Sequence, residues 1–246
     1  MNAVRVVLVR TEVEGNIGAV ARLVSNFGAG QLVLVDPQCD PLGDQARRLA
    51  AGAVEVLQQA RQVPDLAMAL ADCVASAATS ALTGGLFRRQ SVVTPAQAAQ
   101  QLVRDLNNGP VALVFGPEPV GLSNDEIRQC QSLIHIPTHS RYPALNLAQA
   151  VAVCLYQLHE TWRTRTPEPA TPVANHEELE RAWQALEQGL HAIGYLRGSR
   201  GPALLHALRH LLSRARPSPM EARLLLGLGR QMQWRAAQDE ATSSSE

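Results

Sequence analysis

The chain has 246 residues, 46% of them hydrophobic and 18% charged, with 22 basic and 22 acidic residues and a formal net charge of zero. That length has room for one sizeable α/β core and a small appendage, in an ordinary soluble balance of residues. Whole-chain charge does not announce a nucleic-acid partner, no apolar run reaches membrane-spanning length, and Met1 to Val9 lacks the basic start and long apolar core of a signal peptide, so a cytoplasmic location is expected. Cys39, Cys73, Cys130 and Cys154 are widely spaced with no CxxC pair. They read as reduced core residues, and no metal is expected.

In chain order, Arg5 to Val9 is a Val-rich strand candidate and Arg10 to Gly15 a loop. Ile17, Val20, Ala21, Val24 and Phe27 then recur at helical spacing, with Gly28 and Gly30 as a stop. Gln31 to Val35 is the next strand, which gives a strand, helix, strand opening with parallel pairing. Asp44 is expected to cap a short helix from Gln45 to Ala51, followed by a short strand from Ala53 to Leu57. Pro64 to Ala71 reads as a helix, Cys73 to Ala77 as a strand, and Leu82 to Val93 as an exposed connection. Thr94, with Pro95 at the first helical position, should cap a helix ending at Leu106.

Val111 to Phe115 and Leu133 to Ile136 are short apolar runs bounded by turn residues, as in buried strands of a parallel sheet. Each leads into an unusual loop, Gly116 to Leu122 and Pro137 to Asn146. Leu147 to Leu158 is apolar on nearly every face and predicts a helix buried in the domain or against another subunit. Neighbouring loops at the carboxyl ends of strands form the crevice where open α/β sheets usually bind ligands. His135, within its apolar run, reads as a core side chain.

After Trp162 the composition changes. The chain divides into an α/β domain over 1–165, a Pro-rich linker over 166–175, a helical extension over 176–240 and a disordered tail over 241–246. The extension predicts helices from His176 to Ile193, Pro202 to Ser213 and Pro219 to Trp234. All 22 basic residues are arginine, and no acidic residue lies between Glu187 and Glu221, whereas Arg197, Arg200, Arg209, Arg214 and Arg216 do. Guanidinium groups match phosphate geometry well.

Gly15-Asn16-Ile17-Gly18 does not match the G-x-G-x-x-G dinucleotide pattern, which disfavours a Rossmann-type oxidoreductase, and there is no Walker loop or Ser nucleophile elbow. Alone, Asn16 and Gly18 suggest a helix cap and a packing glycine. Three pieces taken together say more: N-x-G-x-x-x-R (Asn16, Gly18, Arg22), V-F-G-x-E-x-x-G-L (Val114 to Leu122) and I-P-x(8)-N-L-A-x-A-V (Ile136 to Val151). Their order and separation resemble the SpoU class of the SPOUT RNA methyltransferases, and Gly194 to Arg197 with Leu208 to Pro217 resembles the helical extension of the TrmJ tRNA methyltransferases.

The resemblance implies a parallel α/β sheet with a C-terminal trefoil knot, a homodimer, S-adenosylmethionine (SAM) as cofactor, and 2'-O-methylation of RNA ribose, most plausibly in a tRNA anticodon loop. It assigns SAM to Thr79, Ser80 and Ala81, to Gly116, and to Ile136, Pro143, Ala144 and Leu145. It implies that Arg22 is the catalytic arginine, that Asn16 and Asn146 orient Arg22 and the loops, and that Glu118 holds the knot loops or lines the site. Because a guanidinium keeps its proton in proteins, Arg22 is expected to grip phosphate and stabilise charge on oxygen instead of acting as a base. Arg88, Arg89 and the cluster Arg197, Arg200, Arg209, Arg214 and Arg216 are expected to bind RNA. The chain departs from the family pattern at Leu82, Pro117 and Ala144, where family members carry Arg, Arg and Ser. Those losses keep a second reading open, a knotted RNA-binding module with weak or no catalysis.

Overall fold

Valine and leucine fill Val4–Val9 (β1) except at Arg5, and all six residues are buried. Alternate side chains point to opposite faces, so Val4, Val6 and Leu8 join one core and Val7 and Val9 another. This two-sided burial is why the strand lacks a polar alternation. The computed structural model describes residues 1–81, 92–166, 170–196 and 201–243, with side chains to 239. Two compact units divide the chain, Met1–Ala170 and Thr171–Glu246.

In the first unit, β1 is followed by α1 (Glu14–Phe27), β2 (Gln31–Val35), α2 (Asp44–Ala50), α3 (Val54–Gln58), β3 (Arg61–Val63) and α4 (Leu66–Leu70). Then come β4 (Ala75–Thr79), β5 (Val92–Val93), α5 (Pro95–Asp105), β6 (Val111–Phe115), α6 (Asn124–Arg128), β7 (Ser132–Ile134) and α7 (Leu147–Thr164). The strands form one sheet of seven in the order β3-β2-β1-β6-β4-β7-β5, every pair parallel. The chain runs outward from β1 through β2 and β3, then crosses to the other side, where β4 and β5 come first, β6 enters between β1 and β4, and β7 enters between β4 and β5. The switch falls beside β1, where the carboxyl ends of strands open a crevice.

Several sequence expectations hold and several are corrected. The Thr94 cap is a full capping box with Gln97, and Pro95 opens α5. Val54–Gln58 is a helix, not the strand expected over Ala53 to Leu57: its two valines favoured an extended reading, but the segment packs on α1 after a short 3₁₀ turn. Asp44 is the first helical residue of α2, and Gly43 occupies the cap position. The strand expected over Cys73 to Ala77 lies two residues later, and the one expected over Leu133 to Ile136 ends at Ile134. β3 and α6, too short to show periodicity, were not anticipated. Most of the connection expected over Leu82 to Val93 lies outside the described residues.

α1 comes close to α2 because position 18 has no side chain. A Cβ on Gly18 would lie 2.1 Å from the Ala46 carbonyl oxygen. Gly18 is thus a packing glycine, and it fixes the helix that carries both Asn16 and Arg22.

The second unit contains α8 (His176–Ala192), α9 (Gly201–Ala215) and α10 (Pro219–Ser243), which continues beyond the expected end at Trp234. Asn175 caps α8 through a capping box with Glu178. α8 and α10 cross at glycines: a Cβ on Gly189 would be 2.6 Å from the Gly229 oxygen, and one on Gly229 would be 2.4 Å from the backbone of Ala185. Trp183, Leu186, Leu190 and Leu196 pack with Leu205, Leu208, Leu212 and Met232.

His176, only 4% exposed, sits at the start of α8. Burial, and secondarily the Arg209 charge, lowers its imidazole pKa to about 4. The unfolded chain therefore binds more protons between pH 4 and 6.5, and the unit should lose stability as pH falls through that window. The loss between pH 7 and pH 5 should be on the order of 2 kcal/mol, from 1.36 kcal/mol per pKa unit. Urea unfolding at the two pH values is expected to show a smaller difference in His176→Gln than in the parent chain.

Candidate active site

Three motifs far apart in sequence meet through one row of side-chain hydrogen bonds. The Asn146 side-chain oxygen caps α7 by accepting from the backbone N–H groups of Ala148 (2.9 Å) and Gln149 (3.4 Å). With its oxygen engaged there, Asn146 turns its amide nitrogen outward and donates to Asn16 Oδ1 at 3.0 Å. Asn16 then donates through Nδ2 to Glu118 Oε1 at 2.6 Å, and the second carboxylate oxygen accepts from the Glu12 backbone N–H at 3.2 Å. Each amide has one orientation that satisfies the row, because the helix end supplies donors and the carboxylate only accepts. The row runs from the positive end of a helix to an anion, a favourable direction.

Asn16 is 9% exposed and lies within the first turn of α1, whose cap position is Val13. It is therefore not the helix cap that its residue type suggested. Its partners lie 102 and 130 residues away. This places Asn16, Glu118 and Asn146 together, as the motif reading expected. Asn16 and Asn146 make no direct bond to Arg22: their side chains are used on each other, on Glu118 and on the α7 cap. Arg22 is exposed on α1, and among the described residues it has no hydrogen bond or ion pair. An exposed guanidinium beside a crevice is available to an external anion.

The residues expected to bind cofactor lie on three loops that follow β4, β6 and β7, adjacent in the sheet in the order β6-β4-β7. After β4, the Thr79 hydroxyl donates to the Val114 oxygen at 3.1 Å, and the Ser80 N–H donates to the Ile134 oxygen at 3.0 Å. Each bond crosses to a neighbouring strand, so the turn is pinned on both sides. His135 is partly exposed, and its Nδ1 faces the Ser80 oxygen at 3.3 Å. It supports this turn instead of filling the core, a use that its apolar setting in sequence concealed.

After β6 the chain doubles back. The Gly121 N–H donates to the Pro117 oxygen at 2.9 Å, Gly121 takes a φ of +68°, and a Cβ on Gly116 would meet the Leu122 nitrogen at 2.3 Å. Both glycines are required by this turn. After β7, the Thr138 hydroxyl donates to the Pro143 oxygen at 2.9 Å, and Pro143, Ala144 and Leu145 are exposed while Ile136 is partly so. Backbone from three pinned loops thus borders one open edge. Among the described residues no group of three potential metal-ligating side chains occurs.

The arginines expected to bind RNA divide. Arg88, Arg89, Arg197 and Arg200 lie outside the described residues. Arg209 is paired with Glu180 and lies over the Trp183 ring at 5.4 Å. Its cation serves the helical unit, a use that a charge count could not reveal. Arg214 is exposed, and Arg216 is partly exposed at a φ of +51°.

The parallel sheet and the motif-built polar row beside the loops at its carboxyl edge define a class, and comparison with known proteins identifies it. The SpoU rRNA Methylase family model matches residues 3–156, and the chain belongs to that family. The C-terminal domain of tRNA methyltransferase TrmJ matches residues 177–242. The tRNA (cytidine/uridine-2'-O-)-methyltransferase TrmJ of Klebsiella pneumoniae is 39% identical over 233 residues, covering 92% of this chain and 94% of its own. The tRNA (cytidine/uridine/adenosine-2'-O-)-methyltransferase TrmJ of Pseudomonas aeruginosa is 36% identical over 241 residues, 93% of each chain. The crystal structure of TrmJ from Z. mobilis ZM4 superposes with a TM-score of 0.77 at 36% identity, over 93% of this chain and 98% of that one.

Three substitutions test the geometry. Asn16→Ala strands the Glu118 carboxylate and the Asn146 amide and should cost about 1–3 kcal/mol of unfolding free energy. Asn16→Asp sets two carboxylates against each other, so its deficit should grow as pH rises from 5 to 7. Gly116→Ala should cost about 1–3 kcal/mol by overpacking against Leu122. Denaturant titration measures all three.

Proposed function

We propose that this chain transfers a methyl group from S-adenosylmethionine to a ribose 2'-hydroxyl of tRNA, in the anticodon loop, and does so in the cytoplasm. The observation that carries this reading is the Asn146, Asn16, Glu118 row, which joins the three family motifs at the carboxyl edge of the sheet. The names of the relatives, all tRNA 2'-O-methyltransferases, support the reaction and the RNA class. No helix among the described residues is long and apolar enough to cross a membrane.

The cofactor would lie against Thr79, Ser80, Ala81, Gly116, Ile136, Pro143, Ala144 and Leu145. These residues fit it through their backbone. The turns at Ser80 and Gly116 are held by bonds within the sheet, which spares the binding step much of its ordering cost. Departures at Pro117 and Ala144 change side chains and leave those carbonyl groups in place. Pro117 is itself buried, and its carbonyl closes the turn onto Gly121. In this reading the loops over 116–122 and 136–146 belong to a C-terminal trefoil knot, and a second copy completes a homodimer. Val153 and Tyr156, 38% and 56% exposed on α7, supply apolar surface that the second copy would cover.

When bound, SAM supplies a methyl carbon on a sulfonium, a leaving group that needs no protonation. What the chain must provide is alignment of a poorly acidic hydroxyl, whose proton would pass to solvent water as the methyl group moves to oxygen and S-adenosylhomocysteine is left. Arg22 grips the phosphate beside the target ribose and stabilises negative charge as it develops on the 2'-oxygen. The polar row fixes α1, and with it Arg22, relative to the cofactor loops. Alignment can contribute ~7 to 11 kcal/mol, against about 3 to 5 kcal/mol from a general base, so a site without a strong base is sufficient. Arg214 and Arg216, together with Arg88, Arg89, Arg197 and Arg200, would track RNA phosphates.

The test is ribose-methylation mapping on total tRNA with the purified protein and SAM. Methylated anticodon-loop nucleotides are the expected product. Arg22→Ala should lower kcat/KM by about 10²- to 10³-fold, the scale for losing one charge-stabilising group. SAM binding that persists without methylation of any tRNA would favour the RNA-binding module instead.

A further inference from the structure

A second latch joins the same two loops at the end away from Asn146. Arg10 is two residues beyond Leu8, which pairs in register with Phe115, so it leaves β1 beside the turn at Gly116 and Pro117. Its φ of +46° is uncommon for a residue with a side chain. Its N–H donates to the Val35 oxygen at 2.8 Å, and its guanidinium makes two bonds to Glu126: Nη1 to Oε1, and Nη2 to Oε2 at 3.1 Å. The Glu126 side chain is 12% exposed and that of Arg10 36%. Glu126 also closes the α6 capping box, accepting from the Ser123 N–H at 2.7 Å. Burial opposes ionisation of Glu126, yet the Arg10 guanidinium and the Ser123 donors outweigh it and hold the carboxyl below its ordinary range.

The turn from Gly116 to Leu122 therefore carries one anchor of its own, Glu118, and is followed at once by a helix that carries a second, Glu126. Both are held from one short segment: Glu118 by the Glu12 N–H and the Asn16 amide, Glu126 by Arg10. Neither Arg10 nor Glu126 belongs to the three family motifs.

We infer that Arg10 and Glu126 are a positioning pair for methyl transfer, which sets the cofactor-side turn at Gly116 relative to the helix that carries Arg22. The inference rests on the proposed SAM site. Arg10 acts through the turn and touches neither cofactor nor RNA. One anchor leaves a turn free to pivot about it, whereas a second anchor on the helix that ends the turn fixes its direction.

The experiment uses the full chain, with calorimetric titration of S-adenosylhomocysteine and steady-state methylation of tRNA. The variants are Arg10→Ala, Arg10→Lys, Glu126→Gln and the double Arg10→Ala, Glu126→Gln; glutamine at 126 keeps an acceptor for the α6 cap. Each of Arg10→Ala and Glu126→Gln should raise the Kd for S-adenosylhomocysteine about tenfold, and the double should be no worse than the poorer single, as for residues sharing one interaction. Arg10→Lys, which keeps the charge and loses the two-pronged geometry, should fall between Arg10→Ala and the parent. KM for tRNA and its salt dependence should change by less than about twofold, because no phosphate contact is lost. A raised tRNA KM with an unchanged Kd would make Arg10 an RNA contact and overturn the inference, as would losses that multiply in the double variant. Unaffected variants beside an active parent overturn this inference alone, and a parent that neither binds S-adenosylhomocysteine nor methylates tRNA overturns the proposed function with it.

Discussion

A carboxylate without a cationic partner among the described residues needs donors, and the organisation of the first unit follows from how Glu118 obtains them. The side chain accepts from one amide and one backbone N–H, and the amide is itself oriented by a second amide bound to the first turn of α7. Such a row satisfies every member only when three loops hold a fixed separation, since a hydrogen bond weakens steeply outside a narrow range of distance and angle. A buried polar group left without its partner loses more than the bond contributes. The row is thus a constraint on geometry more than a source of net stability, and it acts where the sheet opens its crevice.

Close backbone approach is the second recurring device, and it sits next to the first. Gly18 lets α1 settle against α2 and so fixes the direction from which Asn16 reaches Glu118. Gly116 lets the turn after β6 fold back onto Leu122, bringing Glu118 over the sheet edge. In the helical unit, Gly189 and Gly229 do the same for α8 and α10, with Trp183 and the leucines packing beside the crossing. Hydrophobic burial holds the helices in place, and glycine sets how near they come.

Charge is distributed to match. Cations with structural duties are paired inside the chain: Arg10 with Glu126, Arg209 with Glu180, and Arg5, buried in β1, with Asp72 at 2.7 Å. Arg22 on α1 is left exposed. In a chain of zero net charge this sorting, not the total, is what can direct an anionic ligand to one place.

Much of this was legible in the amino-acid sequence. Val- and Leu-rich runs marked β1, β2 and β6 as strands of a parallel sheet, because burial on both faces removes any reason for polar alternation. Thr94 with Pro95, and the periodicity of α1 and α8, announced helices by local chemistry alone. Asn16, Glu118 and Asn146 could be grouped from their motifs. Tertiary structure decided what no local rule contains: that Asn16 faces two residues over a hundred positions away instead of capping its own helix, that Val54–Gln58 is helical because it packs on α1, that Arg209 is held by Glu180, and that Arg10 meets Glu126. The division has one physical reason. Backbone preference and burial period act over a few neighbouring residues and are written along the chain, whereas the partner of a polar side chain is whichever group the folded sheet brings within three ångströms or so.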